Sequence, residues 1–69
     1  MSNHEVRFPD IEVQLSGEDG NAYVILGLVQ RALRRGGATN EEVRAYFAEA
    51  TADDYDHLLQ VTMAWVVVA

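Results

Sequence analysis

Three short segments of this chain carry side chains that could do chemistry, and the most reactive is Asp53 to His57. It places three carboxylates and one imidazole within five residues. Such groups bind divalent metals, so Asp54, Asp56 and His57, with Asp19 from an earlier loop, are the candidate ligands of a metal site for phosphodiester or nucleotide chemistry. The alternative is that the acids cap a helix and that His57 lies on its flank. This alternative is favoured because no ligand triplet has a diagnostic spacing, and we expect no cofactor.

The second segment is the loop Gly17-Glu18-Asp19-Gly20. Glycine-rich loops can bind phosphate through backbone N–H groups, usually with a lysine or a fuller glycine pattern. This chain has no lysine, and two carboxylates would repel a phosphate. The pattern therefore favours a simple turn from a strand into a helix.

The third segment is an arginine cluster formed by Arg31, Arg34 and Arg35, whose spacing puts all three on one helix face. Guanidinium groups in this arrangement could bind phosphate or an acidic partner. Alternatively they compensate the helix dipole and pair with Glu41 or Glu42. Eleven acids against five arginines give a formal net charge of −6, which argues against nucleic-acid binding. A dimer that presents six arginines remains the nucleic-acid alternative.

The residues before the Gly17–Gly20 loop are predicted to form a strand. Ile11, Val13 and Leu15 alternate with polar residues, which is typical of a strand with one buried face. A strand with one solvent-exposed face suggests an antiparallel sheet or a sheet edge covered by helices. We predict that the β-branched run Val66 to Val68 pairs with this strand.

Three helices are predicted between the strands. Asn21 caps the first, which ends at Gly36 and Gly37. Thr39 and Glu42 form a capping box for the second, and Asp53 or Asp54 caps the third. The predicted buried stripes are Val43, Tyr46, Phe47 and Ala50 in the second helix, and Tyr55, Leu58, Leu59 and Thr62 in the third. The fold class is thus a single α+β domain over residues 8–69, preceded by a flexible tail over residues 1–7.

The first helix is unusual because apolar residues surround most of it, and a chain of 69 residues has little material to cover them. Tyr23, Val24 and Leu28 are the predicted partner-binding residues, flanked by the arginine cluster. Gly27 lies mid-helix, where it would permit close approach of Trp65 or of another helix. These features favour a protein that docks on a second copy or on a host protein.

The chain lacks cysteine, its first residues do not form a secretory signal, and its last apolar run is nine residues long. A membrane helix needs about 20 apolar residues. We therefore expect a cytoplasmic protein with no membrane partner.

Several motifs allow one comparison: Gly-Glu-Asp-Gly-Asn-Ala-Tyr at 17–23, Leu-Gly at 26–27, Asp-Tyr-Asp-His-Leu-Leu at 54–59 and Trp-Val at 65–66. With these motifs, residues 11–68 resemble a family of small bacteriophage and mobile-element proteins of uncharacterised activity. Leu28 departs from that pattern, which often has a charged residue after the helix glycine. The arginine-only composition is compatible with a high-GC actinobacterial host. The resemblance implies a setting and no reaction, so a non-catalytic interaction protein is the leading hypothesis.

Overall fold

The order of helices and strands agrees with the order predicted from the sequence. The computed structural model describes residues 6–15 and 21–69, which form β1 (Phe8–Val13), α1 (Ala22–Arg35), α2 (Asn40–Ala50), α3 (Tyr55–Trp65) and β2 (Val66–Val68). The fold is a small α+β domain in which β2 pairs with β1, as predicted. The predictions for residues 1–5 and for the loop at 17–20, including Asp19, lie outside the described residues. None of the helices described is long and apolar enough to cross a membrane.

The sheet has two strands, and their direction separates the two alternatives that the sequence left open. β1 and β2 run parallel, with Val66 opposite Phe8 and Val68 opposite Val13, and the register is irregular between Phe8 and Glu12. Of the two alternatives that the sequence left open, the antiparallel sheet is therefore not the one observed. Parallel strands need a long crossover connection, which the three intervening helices supply. Alternation along β1 is as predicted, because Val13 is buried and Glu12 is exposed.

The helix ends follow the predicted local chemistry. The Asn21 side chain accepts a hydrogen bond of 2.8 Å from the Tyr23 N–H. Thr39 and Glu42 form both hydrogen bonds of the predicted capping box. Gly37 has a φ of 96°, a left-handed conformation that glycine adopts without the penalty of a Cβ. These contacts fix where α1 ends and α2 begins.

The core lies between the sheet and the three helices, and it corrects two of the predicted stripes. Val43, Tyr46 and Ala50 are buried in α2, but Phe47 is exposed. In α3, Tyr55 is exposed and Leu59 only half-buried, whereas Val61 is buried with Leu58 and Thr62. Both errors have the same cause: the predicted stripes were too wide, because a helix in so small a domain contacts its neighbours along a narrow band.

Trp65 is the centre of the aromatic packing. Its ring lies 5.9 Å from the Phe8 ring in a stacked arrangement and 5.6 Å from the Tyr46 ring edge-on. The indole Nε1–H donates a hydrogen bond of 2.6 Å to Glu49. The Arg7 guanidinium lies 4.1 Å from the indole ring centre. One residue therefore ties β1, α2 and the end of α3 together.

Tyr46 gives the stability of the domain an alkaline limit. Burial raises the pKa of its hydroxyl above the ordinary value of about 10. Between the two pKa values the unfolded chain releases a proton that the folded chain holds. The free energy of unfolding should therefore be undiminished below about pH 10 and fall as the pH rises toward the folded-state pKa.

Urea titrations at several pH values between 8 and 11 would measure this loss. Tyr46→Phe should remove this contribution to the alkaline decline, while the matched change Tyr23→Phe at an exposed position should keep it. A Tyr46→Phe variant with an unchanged alkaline decline would contradict the assignment.

Candidate functional site

The outward surface of α1 carries most of the residues predicted to bind a partner. Helical spacing places Tyr23, Gly27, Arg31 and Arg34 on one stripe, and all four are exposed. We call these four residues the outer stripe of α1. Tyr23 is 81% exposed, which is high for a large aromatic side chain. This side of the helix points away from the core.

The other predicted contacts divide between the outer stripe and the core. Val24 and Leu28 are half-buried on the flank of the stripe, and Leu28 packs against the core cluster. Arg35 is exposed beside them. The inward face of α1 is buried and consists of Ile25, Leu26, Val29 and Leu33. Most of the apolar residues of α1 are therefore buried or half-buried against the core, and Tyr23 is the large apolar side chain of α1 that stays exposed.

Gly27 has a different environment from the predicted one. A Cβ added there would meet no atom of another element within 4 Å in the described part of the chain. The expectation that Gly27 permits close approach of Trp65 was wrong, because Trp65 packs against Phe8 and Tyr46 instead. A mid-helix glycine costs about 1 kcal/mol relative to alanine. No contact among the described residues requires it.

An open cleft of about 260 Å³ lies beside Tyr23. Leu26 and Leu58 line it from α1 and α3, and Tyr55 and Asp53 line it from the start of α3. Asp54 also lines the cleft. The cleft thus combines two tyrosines, an apolar floor and two carboxylates. Sequence reasoning placed Tyr55 in the core and missed this cleft. The available signal was the position of Tyr55, which directly follows the capping Asp54 and is the first residue of α3.

The acidic segment at the start of α3 caps the helix. Asp54 accepts a hydrogen bond of 3.0 Å from the His57 N–H, and Asp53 accepts one of 2.8 Å from the Asp54 N–H. The His57 Nε2 lies 2.9 Å from the Glu49 carbonyl oxygen. Because a carbonyl only accepts, Nε2 must carry the proton, so it offers no lone pair to a metal.

These contacts bear on the metal hypothesis. Asp56 lies in the first turn of α3 and is exposed. Within residues 6–15 and 21–69, no three histidine or acidic side chains are placed to hold a metal ion. The remaining predicted ligand, Asp19, lies outside those residues. The hydrogen bonds of Asp53 and Asp54 are those of a helix cap, which is the alternative that the sequence favoured.

The arginine cluster lies at the C-terminal end of α1 and borders the sheet. Arg31 and Arg35 line an open cleft of about 250 Å³ together with Glu12 and Gln14 of the β1 side. Glu42, one of the predicted ion-pair partners, uses its carboxylate to accept from the Thr39 N–H. The cluster therefore lies at one end of the outer stripe, and the aromatic and acidic cleft lies at the other.

Comparison with known proteins adds no relative. No protein-family model matches this chain, and no match was found among curated proteins or among solved structures.

Proposed function

We propose that this protein is a non-catalytic interaction module that binds another protein through the outer stripe of α1. The observation that carries the proposal is Tyr23, an aromatic side chain 81% exposed between an apolar cleft and a row of arginines. Tyrosine and arginine are the residue types enriched at the centres of protein interfaces. The core is complete without Tyr23, so folding does not explain an aromatic residue at this position.

The resemblance and the composition support a proposal for the cell in which the protein acts. We place the protein in the cytoplasm of a bacterial host, encoded by a phage or mobile element of an actinobacterium. In that setting the occupant of the outer stripe is a host protein or a second copy of the chain. Protein partners are favoured over nucleic acid because three arginines lie on a chain whose net charge is −6.

Tyr23→Ser should cut partner binding by at least tenfold and leave the fold intact, because the side chain contributes little to the core. The measurement is capture from host lysate on immobilised protein, with and without nuclease, quantified by mass spectrometry. The matched control is Met63→Ser, which removes an exposed apolar side chain from α3. Tyr23 is a cleaner position than Leu28, because Leu28→Glu would also disturb the core.

The proposal requires a contact that wild type and Met63→Ser both keep and that Tyr23→Ser loses, either with one host protein retained from lysate or, for a second copy, in self-association measured by sedimentation. Equal retention by all three variants would contradict it. Retention that disappears after nuclease treatment would point instead to nucleic acid and the arginine cluster.

A further inference from the structure

We infer that the occupant of the outer stripe is a second copy of this chain, with the two α1 helices packed antiparallel about Gly27. The inference rests on the proposed function and names its partner. Its basis is that the two ends of the stripe are chemically complementary. At the N-terminal end Tyr23 lines a cleft that Asp53 also lines, and the C-terminal end has Arg31 and Arg34. In a two-fold symmetric dimer of antiparallel helices, the N-terminal end of each stripe faces the C-terminal end of the other, so the complementary contact forms twice.

The spacing along α1 fits this symmetry. Tyr23 and Arg31 each lie four residues from Gly27, or about 6 Å along the axis at 1.5 Å per residue. In an antiparallel pair centred on Gly27, Tyr23 of one copy is therefore level with Arg31 of the second copy. Arg34 of the second copy lies about one helical turn further along, toward the N-terminal end of the first copy's α1, which borders the cleft that Asp53 lines. Each tyrosine ring would then contact a guanidinium, an attractive cation–π geometry.

Gly27 is the residue that lets the two backbones approach. The distance between packed helices is about 8–10 Å and depends on the side chains at the contact. A glycine at the crossing point lets the two helices pack at the short end of this range, because it has no Cβ to separate them. The space above Gly27 is open among the described residues, so no contact within the chain accounts for a glycine there.

Charge and size set the strength of this association. Each copy carries a net charge of −6, but at physiological ionic strength the Debye length is about 8 Å, so repulsion between distant charges is largely screened. The contacting pairs are screened less. A helix of 14 residues is about 21 Å long, which points to an interface in the small class, below about 1,200 Å² in total. Interfaces of this class are typical of weak or transient complexes, so we expect a dissociation constant of about 1 μM or weaker.

Gly27→Cys tests the symmetry directly, because the chain has no other cysteine. Facing Cα atoms on two helices 8–10 Å apart are about 3.4–5.4 Å from each other. A disulfide needs about 4.4–6.8 Å, which the upper part of this range satisfies, so the variant should form a covalent dimer under mild oxidation when the helices pack at the wider spacing. The matched control is Ala48→Cys at an exposed position of α2, which should cross-link at least tenfold more slowly. Equal cross-linking rates for the two variants would overturn the inference.

Sedimentation of the wild type from about 1 μM to about 1 mM provides the second measurement. The mass should rise above the 7.7 kDa of one chain toward twice that value. Arg31→Glu with Arg34→Glu should weaken dimerisation at least tenfold, whereas Arg44→Glu on α2 should not. A wild type that remains monomeric throughout this range would overturn the second-copy inference. Tyr23-dependent capture of a host protein by that monomer would still support the proposed function, so the two failures are distinguishable.

Discussion

Trp65→Ala is expected to lower the free energy of unfolding by about 3–5 kcal/mol, the range for removing a large aromatic side chain from a core. Trp65 is only 2% exposed and contacts both the Phe8 and the Tyr46 rings. A chain of 69 residues has a total stability of about 3.5–10 kcal/mol at 0.05–0.15 kcal/mol per residue. The variant should therefore lose between about a third and all of its stability.

Urea unfolding followed by circular dichroism would measure the change, because the variant lacks the only tryptophan. Met63→Ala on the same helix is the control, and its effect should be within about 0.5 kcal/mol, as for an ordinary surface change. Trp65→Phe keeps an aromatic ring but loses the hydrogen bond to Glu49, so it should fall between the two. A Trp65→Ala loss below about 1 kcal/mol would show that the aromatic cluster does not hold the domain together.

Thr62→Val is expected to cost about 1–3 kcal/mol, because it leaves a buried hydroxyl without a partner. The Thr62 hydroxyl donates to the Leu58 carbonyl at 2.9 Å and lies 2.7 Å from the Tyr46 hydroxyl. A threonine hydroxyl has one proton, so Tyr46 is the donor in the second bond. Both side chains are fully buried, and water cannot replace the lost acceptor without entering the core.

A double-mutant cycle gives this prediction its control. Combining Thr62→Val with Tyr46→Phe removes both polar partners, and such pairs are often nearly neutral. The double variant should recover much of the stability that Thr62→Val loses, with an interaction energy of at least about 0.5 kcal/mol from urea unfolding. Simple additivity of the two changes would show that the hydroxyl pair contributes little.

Local features of this fold could be predicted from the sequence because they depend on neighbouring residues. The Asn21 cap, the Thr39 capping box and the left-handed Gly37 are each set within four residues. Features that depend on distant parts of the chain were harder. The direction of β2 relative to β1 depends on how three helices return the chain, and a strand of three valines carries no direction in its pattern.

The candidate site divides in the same way. The exposure of Tyr23 and the arginines followed from their spacing on α1, since the helix period decides which residues share a face. The cleft beside Tyr23 did not, because Tyr55 and Asp53 reach it only through the packing of α3 against α1. Gly27 shows the limit most clearly. A mid-helix glycine signals a close approach, but the sequence cannot say whether the approaching group belongs to the same chain.

The parallel pairing of β1 with β2 has a consequence for how the domain folds. The two strands come from opposite ends of the described chain, with residues 14–65 between them. The helices can begin to form from local contacts, but the sheet must close a long loop, and such non-local contacts slow folding. Ile11, Val13 and Val66 of the strand segments belong to the core, so the helices alone lack a complete apolar interior. We therefore expect single-exponential kinetics in which the strands and the helices acquire protection from hydrogen exchange together.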